Sequence, residues 1–510
     1  MILSLLIGLT MKTIKIDPIT RIEGHLAFRT EIENNQVVKA YSSGEMFRGF
    51  EIILKGRSPM DAQQITQRIC GVCPISHGTA SILAQDMAYG ITVPENGRLM
   101  RNIMLAANYI QSHLIHFYHL SAPDFVDIKA IKAYQGNDPE LLRLKTWVEN
   151  QLKSKNLYPA APFLPVYDAK YIESTELNII AIKHYIQALK MRALAHRMAA
   201  VVGGKLPHSP TLVPGGITEK ITGQKIASLQ SMLTTLQDFI NTAYLPDIIE
   251  IAKAFPEYFS MGKGYGNFLA YGVFSESDQT TYLPSGVLIN NSLEELDSDK
   301  ITEDVKYSFY NSSSGLQPKQ SDTVPDHEKS EAYSWIKAPR YNDTVLEVGP
   351  LARLMVAYHK NHSDTKSSID KLLSGIGKTA DDLISMIGRH AARALECKLI
   401  ADHCAGWIDE LQPGKPSFKD FDIPPQAQGV GLTEAPRGAL GHWLEIDNYI
   451  IKRYQCVVPT TWNCSPRDDK SRPGAVEKAL EGTPIADSEN PIEAVRIVRS
   501  FDPCIACAVH

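Results

Sequence analysis

The chain has 510 residues, enough for a large buried core, and its 44% hydrophobic and 21% charged residues are typical of a globular protein. A formal net charge of −5 gives no general reason to expect nucleic acid or an anionic membrane surface as a partner. Residues 1–9 are mostly apolar, but a bilayer requires ~20 such residues, and the flanks of a secretory signal are missing. We therefore expect residues 1–10 to be disordered or a mis-assigned start, with Met11 as the alternative start, and no transmembrane anchor elsewhere.

The first predicted element is a β-hairpin. Apolar and polar residues alternate over 13–38, and Asn34-Asn35 marks a turn between two strands. The polar loop 17–25 holds several hydrogen-bonding side chains, so a site there is at least as plausible as a simple turn. Farther along, Pro59 and the polar residues after it predict a helix that runs up to Cys70.

Longer helical patterns dominate the middle of the chain. Apolar residues recur at steps of three and four in four stretches: 101–120, 176–202, 226–255 and 371–411. The first stretch carries three histidines, but the drift around a helix spreads them, so core or interface roles are favoured over metal ligation. These histidines are His113, His116 and His119.

The remaining segments are predicted to be less regular. Prolines and glycines predict a rigid loop at 207–216, whereas 262–343 is typical of a small sheet with long loops. Short segments follow from Gly429 onwards. The predicted fold is α+β and predominantly helical, a long-helix bundle core with small peripheral β-sheets, in one domain that spans residues 1–510.

Eight cysteines include two Cys-x-x-Cys pairs near opposite ends of the chain, Cys70/Cys73 and Cys504/Cys507. Each pair presents two thiolates at a spacing that suits one metal, and two pairs together make a four-sulfur site. Structural zinc, an iron–sulfur cluster and nickel are all chemically possible, although the long intervening chain counts against a compact zinc module. Redox disulfides are disfavoured because no thioredoxin-like βαβ pattern surrounds the pairs. The other four cysteines are interpreted as buried thiols: Cys397, Cys404, Cys456 and Cys464.

Taken together, the motifs resemble the large subunit of nickel–iron hydrogenases, and the likeness covers nearly the whole chain. Each motif alone is modest, but their combination in this order is highly specific. The motifs are Arg-Ile-Glu-Gly-His at 21–25, Arg-Ile-Cys-Gly-Val-Cys at 68–73 with His77, Leu-Glu-Val-Gly-Pro at 346–350, Pro-Arg-Gly at 436–438, Val-Pro-Thr-Thr-Trp-Asn at 458–463 and Asp-Pro-Cys-Ile-Ala-Cys-Ala-Val-His at 502–510.

The resemblance implies a binuclear centre between the two cysteine pairs. All four cysteines would bind nickel, with Cys73 and Cys507 also bridging to iron and with Cys70 and Cys504 terminal. The iron of the family carries carbon monoxide and two cyanide ligands. Soft thiolates suit nickel, and a terminal sulfur can also accept a proton when dihydrogen is split.

The resemblance also implies catalytic roles for two residues outside the cysteines. Glu23 matches the carboxylate that takes the proton from Cys504, although it could instead be a capping or ion-pair carboxylate. Arg437 matches a guanidinium that polarises bound hydrogen or anchors cyanide, and it could also form a structural ion pair with Asp502. Pro436 and Thr460 match partners of the cyanide ligands, and His77 matches a donor to a bridging sulfur.

Two further groups of residues are implied by the same resemblance. Val72 and Leu120 match residues that line a gas channel, although core packing explains them equally well. Glu51, the carbonyl of Cys456 and the terminal His510 resemble a second metal site, for which carboxylate and carbonyl ligands suit magnesium and a histidine ligand favours iron.

One departure from the family concerns Ser112, where many members have an aspartate that would pair with Arg437. The Gln-Ser-His form at 111–113 resembles the nickel–iron–selenium branch, in which selenocysteine occupies the position of Cys504. The cysteine found here leaves the branch open.

The resemblance implies a catalytic subunit that oxidises dihydrogen reversibly to protons and electrons. Its electrons would pass to a small subunit with iron–sulfur clusters, and a cytochrome or membrane partner is possible. We expect a periplasmic or membrane-associated location through that partner in preference to the cytoplasm. The alternatives are a hydrogen sensor with the same centre, a zinc scaffold, and a relative such as the quinone-site subunit of respiratory complex I, which would lack the four cysteines.

Overall fold

A computed structural model describes residues 11–154 and 169–510, and the expectation for residues 1–10 therefore lies outside the described residues. The strands are β1 (Lys12–Ile16), β2 (Leu26–Glu33), β3 (Gln36–Gly44), β4 (Leu212–Val213), β5 (Gly216–Ile217), β6 (Phe268–Ala270), β7 (Val273–Ser275), β8 (Thr281–Leu283), β9 (Gly286–Ile289), β10 (Ser292–Glu294), β11 (Ile301–Asp304), β12 (Ala338–Tyr341), β13 (Gln426–Ala435), β14 (Gly438–Asp447) and β15 (Ile450–Val457).

The helices are longer than most strands and supply most of the core. They are α1 (Phe50–Leu54), α2 (Pro59–Thr66), α3 (Pro74–Tyr89), α4 (Glu95–Ile115), α5 (Pro139–Ser154), α6 (Thr175–Gly203), α7 (Gly223–Phe239), α8 (Leu245–Ala254), α9 (Pro350–His359), α10 (Ser363–Ser374), α11 (Met386–Asp409), α12 (Pro459–Asn463), α13 (Ala475–Leu480), α14 (Ile492–Ser500) and α15 (Ile505–Ala508). The predicted fold class, α+β and mainly helical with small sheets, is confirmed. In the described part of the chain, each helix is too short or too polar to cross a membrane.

The N-terminal sheet has the order β1-β2-β3, and its strands are antiparallel. The predicted turn is confirmed, because Asn34 and Asn35 both have positive φ angles and connect β2 to β3. The predicted helix before Cys70 is also confirmed, since α2 continues as a 3₁₀ turn over Gln67–Ile69. These elements place the polar loop 17–25 and the first cysteine pair beside the C-terminus.

Helix α4 lies at the centre of the helical layer, where it packs against α6 and α11, and α7 packs against both of these. It begins at Glu95, earlier than the predicted 101, and gives way to a π-helical turn at His116–Ser121. Helix α4 is buried on nearly every side, and its buried residues include polar ones. The apolar periodicity therefore did not mark the first turns of the helix.

The three histidines of this region have core partners, as predicted. The His113 ring lies 2.9 Å from a Glu396 carboxylate oxygen, and the His116 ring lies 2.7 Å from the carbonyl oxygen of Arg499. The His119 ring contacts a backbone carbonyl in α6 at 3.2 Å. Each ring is therefore held by a protein partner, as a packed core requires.

Several predicted helix boundaries are corrected by the structure. The 226–255 pattern contains α7 and α8, separated by a π-helical turn at Ile240–Tyr244, because Pro246 supplies no N–H to the preceding turn. The 371–411 pattern is interrupted between α10 and α11, where Gly377 has a φ of 66° and Ser385 caps the second helix.

The segment after Gly429 differs most from prediction. Instead of short segments, β13, β14 and β15 form an antiparallel sheet with two strands of ten residues. Almost every residue of β14 is buried on both faces, which removes the alternation that marks a half-exposed strand. Helix α3 packs so closely on this sheet that a Cβ on Gly431 would lie 1.9 Å from the carbonyl oxygen of Ala80. Glycine therefore permits the close contact between α3, which follows Cys73, and the sheet of β13, β14 and β15.

Candidate metal centre

The four cysteines of the two pairs meet at one buried point. The sulfur atoms of Cys70 and Cys504 lie 3.4 Å apart, those of Cys73 and Cys507 3.4 Å apart, and those of Cys504 and Cys507 3.0 Å apart. All four sulfurs lie within 4.8 Å of one another, and none is part of a disulfide. The geometry of a single four-sulfur site, which the two pairs predicted, is therefore present.

Local structure turns each pair inward. Cys70 follows the 3₁₀ turn, and Cys73 is the N-cap of α3, whose first residue is Pro74. The backbone N–H of Val72 donates a hydrogen bond to the Cys70 sulfur at 3.3 Å. Cys504 in turn is the N-cap of the short helix α15. The N-terminal end of a helix carries partial positive charge, which favours negative charge on the sulfur of its N-cap residue.

The C-terminal pair is held by the polar loop of the N-terminal sheet. The N–H of Ile505 donates to the carbonyl of Glu23 at 2.8 Å, and the N–H of Glu23 donates to the carbonyl of Pro503 at 3.4 Å. A Cβ on Gly24 would lie 2.8 Å from the Ile505 side chain, so this approach requires glycine. The loop 17–25 is thus part of the site and more than a turn.

Arg48 connects both cysteine segments, a role that the sequence did not reveal. Its guanidinium donates to the carbonyl of Ile69 at 2.7 Å and to the carbonyl of Ala506. Its backbone N–H also donates to the carbonyl of Val509 at 3.4 Å. No motif marked this residue, since it is one of several basic side chains in the stretch before the first pair.

The Glu23 carboxylate contacts the terminal cysteine. Oε2 lies 3.2 Å from the Cys504 sulfur and accepts the backbone N–H of Ala506 at 2.9 Å. Burial, followed by the nearby charge of Cys70, raises the pKa of this carboxyl above its usual value. A carboxyl with a raised pKa beside a sulfur can exchange a proton with it near neutral pH.

Ionisation of the thiols also argues for a bound cation. Hydrogen bonds from Cys504 and the other thiols lower the pKa of Cys70. Burial raises the pKa of Cys504 and that of Cys507 well above the ordinary value, so the four thiols cannot all ionise in this pocket without positive charge. A thiophilic metal ion would supply that charge, and the donor set fits nickel among other soft metals.

Arg437 is a buried cation; burial alone would lower the pKa of its guanidinium, but the charge of Asp502, followed by those of three of the four cysteines, raises that pKa well above its usual value. It forms the expected ion pair, with Nη2 3.0 Å from Asp502 Oδ1 and Nε donating to the Asp502 carbonyl at 3.0 Å. Among the described residues, Arg437 Nη1, Asp502 Oδ2 and the Ser112 hydroxyl have no hydrogen-bond partner. A buried free donor beside four thiols fits a bound group with acceptor atoms, such as cyanide.

The loop that carries Arg437 is supported by Arg353, which sequence reasoning missed. All five N–H groups of Arg353 are used: two go to Glu396 at 2.6 and 2.7 Å, one to Glu434 at 2.6 Å, and two to the carbonyls of Ala435 and Pro436 at 3.0 and 2.9 Å. Although burial alone would raise it, the Arg353 charge and hydrogen bonds lower the pKa of Glu396 to about 2. This ion network thus anchors the backbone next to Arg437.

His77 lies on the other side of the cysteines. Its Nε2 is 3.4 Å from the Cys507 sulfur, and its Nδ1 is 3.3 Å from Nε2 of His442. Burial lowers the pKa of His77 to about 3, so the ring is neutral at physiological pH. His442 was not marked in the sequence, because it lies in a strand whose residues are nearly all buried.

The structure places the remaining predicted residues as follows. The Thr460 hydroxyl oxygen accepts the backbone N–H of Cys504 at 3.0 Å. Val72 is half-buried between the first two cysteines, and Leu120 is half-buried in the π-helical turn after α4. Of the other cysteines, Cys397, Cys404 and Cys464 are buried free thiols, as predicted.

A second cluster forms beside the first from Glu51, Cys456 and His510, whose ligand atoms lie within 4.8 Å of one another. The N–H of Cys456 donates to Glu51 Oε1 at 2.8 Å, and His510 Nε2 lies 3.1 Å from the same oxygen. Lys337 lies 3.4 Å from Glu51 and from Glu303, and after the opposing effect of burial its charge lowers the pKa of Glu51. The Glu51 carboxylate and the His510 imidazole fit a metal ion, the Cys456 sulfur is the third donor atom of the cluster, and the positive charge of Lys337 offsets part of the carboxylate charge.

Comparisons with known proteins identify the family of the chain. A family model described as nickel-dependent hydrogenase matches residues 48–510, and a second, described as HoxL-like, matches residues 13–41. The periplasmic NiFeSe hydrogenase large subunit of Desulfomicrobium baculatum is 41% identical, over 98% of this chain and 94% of the relative. The hydrogenase-2 large chain of Escherichia coli (strain K12) is 37% identical, over 98% of this chain and 97% of the relative.

Solved structures give the same result. The reduced Ni-Fe-Se hydrogenase from D. vulgaris Hildenborough superposes with a TM-score of 0.87 at 40% identity, over 98% of this chain and 100% of that one. An active, reduced Ni-Fe-Se hydrogenase from Desulfomicrobium baculatum gives the same TM-score and coverage.

Proposed function

The chain belongs to the nickel-dependent hydrogenases, and on that premise we propose that it catalyses the reversible oxidation of dihydrogen to protons and electrons. The observation that carries this proposal is the meeting of four free, buried thiols from opposite ends of the chain, with a carboxylate on one of them. This arrangement combines a soft metal site with a proton acceptor, the two chemical requirements for heterolytic cleavage.

The proposed cofactor is a nickel–iron centre. Cys70 and Cys504 would bind nickel alone, whereas Cys73 and Cys507 would also bind iron that carries carbon monoxide and two cyanide ligands. When bound, this centre supplies the site at which dihydrogen is split. Because residue 504 is cysteine in this sequence, sulfur takes the position that selenium has in the selenium branch.

The protein's part in proton transfer is assigned to Glu23. Its Oε2 is close enough to the Cys504 sulfur to receive a proton directly. Two backbone N–H···O bonds, in opposite directions between the loop and the C-terminal segment, keep this contact in place. Glu23 is half-buried, so the proton can leave from its outer side towards solvent.

Arg437 and Thr460 are proposed to position the iron ligands. Asp502 holds the Arg437 guanidinium and leaves Nη1 free to donate to a cyanide nitrogen. The Thr460 oxygen accepts the N–H of Cys504, so its own O–H proton remains available for a second cyanide. The backbone at Pro436, which Arg353 holds through the Pro436 carbonyl, is proposed as a further partner of the cyanide ligands.

Gas access is proposed to involve Val72 and Leu120. Both side chains are apolar and half-buried, and Val72 lies between two cysteines of the site. Apolar walls suit a small apolar molecule and discourage water from reaching the centre.

Electrons are proposed to leave through a small subunit with iron–sulfur clusters. The cysteines outside the two pairs are single buried thiols and form no further four-cysteine group among the described residues. The periplasmic relative supports a periplasmic location, or membrane association through a partner such as a cytochrome.

Infrared spectroscopy of the purified complex tests the proposed function. We expect carbonyl and cyanide stretching bands, one nickel per chain, and hydrogen oxidation with an artificial acceptor. Cys507→Ala should abolish nickel binding and the bands because a shared ligand is lost, whereas Cys404→Ala, which removes a buried thiol elsewhere, should retain both. Zinc without nickel in the wild type would contradict the proposal, and intact bands with negligible turnover would favour a hydrogen sensor.

The second cluster is proposed to bind magnesium or iron through the Glu51 carboxylate, the His510 ring and the backbone carbonyl of Cys456, the ligands that the resemblance implies. Glu51→Gln removes the carboxylate charge on which that metal depends, so we expect metal analysis to find one fewer magnesium or iron per chain with nickel unchanged. Glu477→Gln, which alters a buried carboxyl that contacts Ser42 and Tyr333, provides the control. Equal metal content in Glu51→Gln and wild type would remove this site from the proposal.

A further inference from the structure

A continuous line of polar contacts leads from the Cys507 sulfur into the C-terminal sheet. His77 Nε2 lies 3.4 Å from the sulfur, and His77 Nδ1 lies 3.3 Å from His442 Nε2. His442 Nδ1 in turn lies 2.8 Å from the Tyr454 hydroxyl. His77 is on α3, His442 on β14 and Tyr454 on β15, so three elements contribute one residue each.

All three side chains are fully enclosed, with exposures of 1% for His77, 0% for His442 and 1% for Tyr454. Burial favours neutral imidazole rings over charged ones, and each neutral ring has one N–H donor and one acceptor nitrogen. If one nitrogen of a ring donates at one contact, its other nitrogen must therefore accept at the next contact.

The donor and acceptor at each hydrogen bond in this line follow from the sulfur atom at which the line ends. A metal-bound thiolate can only accept, so His77 Nε2 must carry the proton and His77 Nδ1 must accept. His442 Nε2 must then donate, and its Nδ1 must accept from the Tyr454 hydroxyl. A tyrosine hydroxyl can donate, so every contact is satisfied in this one direction.

We propose that His442 and Tyr454 are positioning residues that lock His77 in the tautomer that donates a hydrogen bond to Cys507. The proposal rests on the proposed function, because it treats Cys507 as a thiolate ligand shared with iron. Without the tyrosine hydroxyl, His442 could carry its proton on Nδ1, and His77 could then turn its acceptor nitrogen towards the sulfur. The hydroxyl at the far end thus selects the proton position at the sulfur.

The physical consequence concerns electron density on the shared sulfur. A donated N–H withdraws density from a thiolate, and hydrogen bonds in a line strengthen one another. Loss of the Tyr454 hydroxyl should therefore make Cys507 a stronger electron donor to iron. More density on iron lowers the stretching frequency of bound carbon monoxide.

The test is infrared spectroscopy of the complete enzyme with Tyr454→Phe, which keeps the ring and removes only the hydroxyl. We expect the carbonyl band to move to lower wavenumber, in the same direction as in His77→Ala and by a smaller amount. Tyr118→Phe is the matched control, because that buried hydroxyl donates to Asp247 at 2.7 Å and has no place in the chain to Cys507. Its bands should coincide with those of the wild type.

His442→Phe provides an independent test, since it removes both ring nitrogens from the middle of the chain. The shift should be at least as large as in Tyr454→Phe. If the wild type has the bands and neither variant moves them, the positioning role is wrong and the proposed function stands. If the wild type lacks the bands, the proposed function itself fails. Equal shifts in Tyr118→Phe and Tyr454→Phe would also overturn the positioning role, since they would reflect a general effect of losing a buried hydroxyl.

Discussion

Glu23→Gln is expected to retain its metals and to lose proton exchange at the active site by roughly 10²- to 10⁴-fold, the usual contribution of a general acid or base. The amide keeps an oxygen that can accept the N–H of Ala506 and has nearly the same shape, so the loop should remain in place. What it loses is the ability to take a proton from the Cys504 sulfur across the 3.2 Å contact. The loss should therefore be chemical and leave the structure unchanged.

Exchange between deuterium gas and water, followed by mass spectrometry, measures this step without an electron acceptor. Nickel content and infrared bands report on the integrity of the centre in the same sample. Glu477→Gln is the matched control: Glu477 is buried, burial raises its pKa to about 7, and its contacts are with Ser42, Gly474 and Tyr333. Wild-type exchange in Glu23→Gln would exclude Glu23 from proton transfer, whatever its contact with the cysteine.

Arg353→Met is expected to destabilise the folded protein by about 3–5 kcal/mol, as for other buried ion pairs from which one partner is removed. Arg353 and Glu396 are both fully buried, and so is Glu434. A thioether satisfies none of the five acceptors that Arg353 now contacts. Two carboxylates and the carbonyls of Ala435 and Pro436 would then lose a charged donor.

The temperature of thermal unfolding, measured on the complete enzyme, checks this prediction. Arg29→Met is the control, because Arg29 is half-exposed, pairs with Glu31 at 3.5 Å and lies over the Tyr41 ring, contacts that together should contribute only about 1–2 kcal/mol. The loop with Arg437 should also loosen, with broader carbonyl and cyanide bands in whatever enzyme folds. Similar unfolding temperatures for Arg353→Met and Arg29→Met would mean that the buried network contributes little.

Local patterns predicted much of the secondary structure. The turn at Asn34-Asn35, the helix that leads to Cys70 and the long helix α6 follow from turn chemistry, capping and periodicity, and the structure confirms them. Strand β14 was missed because it is buried on both faces, which leaves no alternation to detect, whereas β13 does alternate between buried and less buried residues, but its glycines carry no side chain that would mark the buried face. The break between α10 and α11 was missed because apolar spacing continues across it.

The candidate site divides in the same way. Spacing alone pointed to the two cysteine pairs, and the resemblance added Glu23, Arg437 and the C-terminal cluster. Arg48, Arg353 and His442 were not found, since each acts through contacts with residues remote in sequence. A single basic or aromatic side chain in a buried segment carries no periodic or motif signal.

The amino-acid sequence by itself determined the four candidate metal-ligating thiols, which form two pairs at a spacing that suits one metal. It also determined the order of the motifs that identify the protein family. Thiolate chemistry and local turn preferences depend on residues a few positions apart, so they can be recognised without a fold. Only the tertiary structure decided that both ends of the chain meet and that Glu23 reaches Cys504. It also decided that Arg353 supports the Arg437 loop and that His442 contacts both His77 and Tyr454. The physical reason is that hydrogen bonds and buried ion pairs depend on distance and direction between atoms hundreds of residues apart.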